Sequence, residues 1–249
     1  MDSNTLTNLM LAIGINAVIA VATYLAKMIS RSGAIGGFIV GAIIYFFTGW
    51  EGYLVLVVFF VLGTLVTKVK YREKAEKGIA QEDEGRRGAK HAFANGLAAL
   101  ILGVLAWLWE QNDMPGTAAI LMAGYCGAFA TALSDTASSE IGQAYGRTTI
   151  ILTSFKRVQP GTEGAVSLEG TVAGIIASLL LAAVAVALNV TTGWQGVVAV
   201  VLAAFIGNTL ESVIGSTLEK LPFINNEVTN FINTLIGAGA AMILFAILK

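Results

Sequence analysis

The chain is built from apolar runs long enough to cross a lipid bilayer, and this limits its fold more than any other feature. A hydrocarbon core of about 30 Å takes roughly 20 helical residues to cross. Within it every backbone N–H and C=O must be satisfied inside the protein, so a chain of this kind spans as helices. Eight candidate spans follow, at 5–29, 33–49, 52–69, 91–109, 116–134, 168–189, 194–214 and 228–248. The expected fold is an all-α polytopic integral membrane protein of about eight transmembrane helices, with 1–249 as a single integral membrane domain. Only 12% of the residues are charged, about half the share of a soluble domain. The second span carries Gly33, Gly36, Gly37 and Gly41, small residues that let membrane helices approach closely.

Charge sets the expected orientation. With loops 30–32, 70–90, 135–167 and 215–227 on the cytoplasmic side, only Lys249 of the 15 Lys and Arg falls elsewhere. Lys27, just inside a helix end, and Lys220, in the last of these loops, both fit this frame. The positive-inside rule favours it, with both termini on the opposite side. A net charge of −1 argues against a nucleic-acid partner. Cys126, the single cysteine, reads as a buried small hydrophobe. His91, the single histidine, reads as a membrane-boundary residue, and its solitude excludes a multi-histidine metal site. The opening MDSNTLTNLM lacks a basic n-region and a cleavage pattern, so the first helix is expected to stay on the mature protein.

The loop at 70–90 mixes both signs, and its first half reads as a solvated helix supported by Glu73/Lys77 and Arg72/Glu76 pairs. A solvated charged face is the default for this loop, with contact to lipid phosphates or a nucleotide as the alternative for Arg86, Arg87 and Lys90, nearest the membrane.

Two polar segments carry the candidate chemistry, in a motif loop drawn over 134–167. The first is SDTASSEIG, Ser134 to Gly142. If it continues as helix, Asp135, Ser138, Ser139 and Gly142 share one face, with Glu140 one turn beyond Thr136. Such oxygen ligands suit Mg²⁺ held together with substrate phosphates. The competing reading is a hydrogen-bonded helix end, with Ser134 as an N-cap. The second segment places Lys156 and Arg157 before Gly161, Thr162, Glu163, Gly164, Ser167, Glu169 and Gly170. Glycines here can bring backbone N–H groups to phosphates, with cations alongside. Asn95, Asn208, Glu211, Asn226, Glu227 and Asn230 sit at span ends on the same side and together suggest a polar pocket. A short internal echo relates Asp135-Thr136-x-x-Ser139-Glu140 to Glu211-Ser212-x-x-Gly215-Ser216-Thr217-x-Glu219. No Walker A, zinc-protease or nucleophile-elbow motif occurs.

SDTASSEIGQAYG, TSFKRVQPGTEGAVSLEGTVAG, RRGAKHAFANG and NNEVTNFINTLIGA together resemble the membrane kinase family of plant and cyanobacterial phytyl-phosphate kinase. The first two blocks are also similar to the wider group of CTP-using phytol and dolichol kinases. The resemblance covers nearly the whole chain. It implies γ-phosphoryl transfer from a nucleoside triphosphate, CTP in the first instance, to phytyl monophosphate. The product, phytyl diphosphate, would serve tocopherol and phylloquinone synthesis and phytol salvage. In this reading Asp135, Glu140 and Lys156 are catalytic, and Asp135, Glu140 and Glu211 hold Mg²⁺. Arg157, Arg147, Gly161, Thr162, Glu163, Gly164, Ser167, Glu169 and Asn95 bind nucleotide and phosphate. Ser138, Ser139, Asn208 and Asn230 complete the polar pocket. The site is expected at the cytoplasmic face of a cyanobacterial plasma or thylakoid membrane, or a plastid envelope in plant relatives. The alternatives are another prenol or prenyl-phosphate kinase, a cytidylyl-type lipid enzyme, or a transporter.

Overall fold

A helix of 38 residues at 1.5 Å per residue would run roughly 57 Å, almost twice the hydrocarbon thickness. The second helix, α2 (Arg31–Lys68), has that length and resolves the conflict by turning back on itself at Gly49, whose φ of 71° and ψ of −174° leave the helical region. Only a residue without Cβ adopts that geometry at little cost. The legs, 31–48 and 50–68, then lie side by side. The Tyr45 and Tyr53 rings meet edge-on, 5.4 Å between centroids, and Gly33 and Gly63 both pack against Arg87.

The computed structural model describes residues 3–218 and 225–249. Around α2 are α1 (Ser3–Leu25), a short α3 (Tyr71–Glu76), α4 (Ala89–Gln111), α5 (Pro115–Tyr145), α6 (Leu168–Ala187), α7 (Gly193–Leu218) and α8 (Asn226–Leu248). Seven helices among the described residues are long and apolar enough to cross a membrane. Six single helices and the two legs of α2 make the eight expected crossings.

Among the spanning helices α5 is the most deeply buried. Tyr125, Phe129 and Leu133 are fully buried, with α2, α4, α6, α7 and α8 packed around them. Tyr125 donates a hydrogen bond to the Gly52 carbonyl at 2.7 Å, tying α5 to the second leg of α2. Gly127 faces Ala241 and the Gly237 backbone, and Gly207 and Gly237 both face Thr131, so backbones approach closely through small residues. Cys126 lies in this core, buried as expected. Large apolar side chains such as Val18, Leu25, Ile35, Leu180, Ile243 and Ile247 point outward, as lipid contact requires.

Two expectations change. The motif loop does not begin at Ser134, because α5 continues as helix to Tyr145, the condition under which Asp135, Ser138, Ser139 and Gly142 share one face. At 31 residues, roughly 46 Å, α5 is long enough to carry that run past the hydrocarbon. Ser134 is therefore a buried residue inside the helix and not an N-cap. The loop that follows is not irregular throughout: β1 (Thr149–Ile151) pairs antiparallel with β2 (Ala165–Ser167), with Thr149 opposite Ser167. The other edge of β1 takes back residues 156–158, through Ile151 N–H to Lys156 O and Val158 N–H to Thr149 O, both 3.0 Å.

Candidate active site

Three described connections, the last turns of α7 and the start of α8 meet at one end of the bundle. Arg87 N–H donates to Met28 O, and Ser30 N–H to Arg87 O, both at 3.2 Å, stitching the α1–α2 turn to the start of α4. Gly161 packs on Ile79. Gly164, at φ 67°, lies against the Ser212 carbonyl and Ser216 amide of α7, so near that a Cβ would collide with both. These contacts enclose a polar cavity of about 600 Å³.

Helix starts and helix ends both supply its wall. The N-termini of α4, α6 and α8 contribute His91 and Asn95, Ser167 and Gly170, and Asn225, Asn226 and Asn230. Ser167 caps α6 by accepting from Gly170 N–H at 3.1 Å, and Asn225 caps α8 by accepting from Val228 N–H at 3.0 Å. Three helix N-termini directed at one space bring unpaired N–H groups and positive dipole ends, a setting that favours anions. The last turns of α5 and α7 add Asp135, Ser138, Ser139, Gly142, Asn208 and Glu211. Asn208 Nδ2 donates to Ser138 Oγ at 2.8 Å and joins the two helices. The loops add Glu82, Arg86, Arg87, Gly161, Thr162, Glu163 and Gly164.

Twelve of the seventeen residues to which the resemblance assigns a role therefore share one cavity: Asn95, Asp135, Ser138, Ser139, Gly161, Thr162, Glu163, Gly164, Ser167, Asn208, Glu211 and Asn230. Five do not line it: Glu140, Arg147, Lys156, Arg157 and Glu169. Lys156 and Arg157 sit on the returning strand of the 149–158 hairpin with their side chains exposed, and Arg147 is exposed just after α5. Glu140 faces away from the cavity into the protein, where it forms an ion pair with Lys74 of α3. Both side chains are almost completely buried, and Lys74 also donates to Thr67 O at 3.2 Å. Lys74 is the exception in α3, whose Arg72, Glu73 and Glu76 are exposed as the solvated reading expects. The expected Glu73/Lys77 and Arg72/Glu76 pairs are absent among the described residues; the surface pair is Lys70–Glu73 at 3.2 Å. Lys220 and Glu219 lie outside the described residues.

Among the described residues, five carboxylates (Glu82, Asp135, Glu163, Glu211, Glu227) and two guanidiniums (Arg86, Arg87) line the cavity. Arg86 is held by Asp83 at 3.2 Å and Glu84 at 3.6 Å. Arg87 makes no side-chain hydrogen bond or ion pair with any described residue. Its guanidinium lies over the Phe59 ring, 5.5 Å from the centroid, in space left by Gly63. Burial pushes the Arg87 guanidinium down from its ordinary range, and the Glu140 and Asp135 carboxylates oppose that. Asp135 likewise forms no hydrogen bond or ion pair with a described side chain. No three carboxylate, histidine or cysteine side chains among the described residues converge to hold a metal by themselves. His91, read as a boundary residue, lies at the junction of this cavity with an apolar groove.

The chain is 40% identical to an uncharacterized membrane protein of Synechocystis, over 87% of this chain and 82% of that one. It is 38% identical to the chloroplastic protein VTE6 of Arabidopsis thaliana, over 87% of this chain and 65% of that one. An archaeal relative, an uncharacterized membrane protein of Methanocaldococcus jannaschii, is 31% identical over 98% of this chain and 97% of its own. No solved structure matches the chain. The family described as integral membrane protein DUF92 matches residues 14–238. With the helical bundle and its one polar end, these matches establish that the chain belongs to the DUF92 integral membrane protein family.

Proposed function

We propose that this protein is a prenyl-phosphate kinase that moves the γ-phosphoryl of a nucleoside triphosphate, CTP by preference, onto phytyl monophosphate. The observation that carries the reading is the cavity itself, where three helix N-termini, Asp135 and Arg87, neither of the two held by a hydrogen bond or close ion pair to a described side chain, face one polar space at the end of an otherwise apolar bundle. Similarity to a chloroplast protein and a Synechocystis one supports it, as does the resemblance of the four motif blocks to the phytyl-phosphate kinase family. We place the cavity on the cytoplasmic side, where nucleotides are available, because the Lys and Arg residues gather at that end.

The chemistry suits the residues present. An oxygen of the acceptor monophosphate attacks the γ-phosphorus and forms a new P–O–P link. The bond from that phosphorus to the β-bridging oxygen breaks, and a nucleoside diphosphate leaves. A phosphate monoester has a second pKa near 6, so the acceptor is ionised at neutral pH and needs no strong base. The obstacle is repulsion between two polyanions, and catalysis consists of positioning and charge stabilisation.

Five acids against two cations would add to that repulsion. The donor set therefore fits Mg²⁺, which typically takes one or two carboxylates plus substrate phosphates and not a protein cage. Asp135 and Glu211 would hold the ion, and when bound it would neutralise charge on the phosphates. Arg87 orients the acceptor phosphate, while the N-termini of α6 and α8 and the Gly161–Gly164 loop receive the nucleotide phosphates. The turn at Gly49 follows a leg long enough to span, so it is not the mid-membrane helix break of a transporter.

Purified protein given Mg²⁺, one of CTP, ATP, GTP or UTP, and either phytol or phytyl phosphate should yield phytyl diphosphate from the monophosphate, fastest with CTP. Absence of a diphosphate product with every pair would overturn the proposal.

A further inference from the structure

A second cavity, about 320 Å³ and almost wholly apolar, lies between α1, the two legs of α2 and the start of α4. Ile19, Phe38, Val57 and Phe60 are among its lining residues. It opens into the polar cavity at Arg87 and His91, which line both. Its far end is closed by Tyr53, whose hydroxyl donates to Asn16 Oδ1 at 2.9 Å. Along the first leg of α2 it runs from Gly33 to Gly41, eight residues or roughly 12 Å at helical rise.

We infer that this groove holds the proximal isoprene units of a prenyl monophosphate, with Arg87 binding the phosphate where groove and polar cavity meet. The inference rests on the kinase reading above and deepens it by locating the acceptor. Three observations select this occupant over any other lipid. The groove leads directly to a half-buried guanidinium that no described side chain holds by a hydrogen bond or close ion pair, so its ligand has one anionic end and one apolar end. Arg87 cannot swing away easily, because its backbone is bonded on both sides to Met28 and Ser30 and its guanidinium is seated on Phe59 against Gly63. The groove holds about 320 Å³, a volume that suits part of a single methyl-branched chain and not the two acyl chains of a glycerolipid. Its length covers about two or three isoprene units at roughly 12 Å, so the rest of a C20 chain would leave between helices into the bilayer. Affinity should therefore climb from a C5 to a C15 monophosphate and then level off.

Gly37 supplies the decisive variant. It lines the groove, and a Cβ there would meet nothing within 4 Å, so a larger side chain fills the channel without disturbing the bundle. Gly14 offers equally open space outside the groove and serves as the control. Binding of radiolabelled C20 prenyl monophosphate to protein in nanodiscs should weaken at least tenfold in Gly37→Leu and remain unchanged in Gly14→Leu. Dimethylallyl monophosphate should bind Gly37→Leu as it binds the parent. Arg87→Met should lose binding of both, with Arg87→Lys restoring part of it. Competition by dioleoyl phosphatidic acid as strong as by unlabelled C20 monophosphate would show a general lipid crevice and overturn the inference. So would unchanged binding in Gly37→Leu, even if the parent makes phytyl diphosphate. If these binding effects appear but no nucleotide donates a phosphoryl group, the site stands and the kinase reading falls.

Discussion

Asp135 and Glu140 lie five residues apart on one helix and meet opposite fates. Asp135 opens into the polar cavity with no hydrogen bond or close ion pair to a described side chain, whereas Glu140 is sealed in the protein against Lys74. A half-buried carboxylate left unpaired costs stability unless a ligand uses it. Asp135→Asn keeps the shape and removes the charge, so phosphoryl transfer should fall by roughly two orders of magnitude or more. The protein should still insert and purify; activity within a few-fold of the parent would remove Asp135 from the site. Glu140 and Lys74 call for a stability measurement. Removing one partner of a buried pair strands the other charge, so Lys74→Met should cost about 3–5 kcal/mol. Adding Glu140→Leu should recover most of that loss, since an apolar pair of similar volume is often tolerated. Thermal unfolding in one detergent compares all three proteins, and a double variant no more stable than Lys74→Met would refute the charge argument. None of this could be read from the sequence. The partners are 66 positions apart, and Lys74 sits in a charged run that looks like any solvated helix.

At the scale of elements, hydropathy reported which segments cross the bilayer but not what happens at their polar ends. The eight spans were legible because an apolar run of that length has few other uses. The extension of α5 to Tyr145 was harder to see, since serine, threonine and aspartate disfavour helix locally and only packing against α6 and α7 overrides that preference. Gly142, Gly170 and Gly174 allow this packing by bringing the α5 and α6 backbones together beside Ser138. The hairpin of 149–158 redirects the segment most suggestive in sequence. Gly161, Thr162, Glu163 and Gly164 reach the cavity, while Lys156 and Arg157, only a few residues earlier, stay outside on its returning strand. Proximity in sequence to a phosphate-binding loop therefore misjudges their position. Lys156→Met should change turnover by no more than about threefold, as an exposed substitution does. A hundred- to thousand-fold loss at saturating nucleotide is the size expected when a transition-state contact is removed, and it would mean that the hairpin folds over the cavity during reaction. Arg87 is one of three cations, with Arg86 and Lys90, that the sequence offers to phosphates, and only its contacts with Phe59, Gly63 and residues 28–30 single it out among them.

For the molecule as a whole, the asymmetry of charge and the asymmetry of structure agree about which loops belong together. The turn at 26–30, the segment 69–88, the loop 146–167 and the start of α8 surround one cavity. Gly49 and the 112–114 turn lie at the other end, as does Lys249, which approaches Gly116. Structure alone says that these loops share an end and not which compartment the end faces. The positive-inside rule supplies that step, because nearly all Lys and Arg lie at the cavity end. Single cysteines in a Cys126→Ala background can test it: Lys77→Cys and Gln159→Cys at exposed positions of the cavity end, and Asn112→Cys at the other. In right-side-out vesicles an impermeant maleimide should label Asn112→Cys alone, and in inverted vesicles it should label the other two alone. Labelling of Lys77→Cys and Gln159→Cys from opposite sides would contradict the shared cavity itself. Labelling of both from outside the cell would leave the fold intact but turn the cavity away from the nucleotide pool. That outcome would remove the kinase reading, since a triphosphate-dependent transfer needs Asp135 and Arg87 to face the compartment where the triphosphate is made.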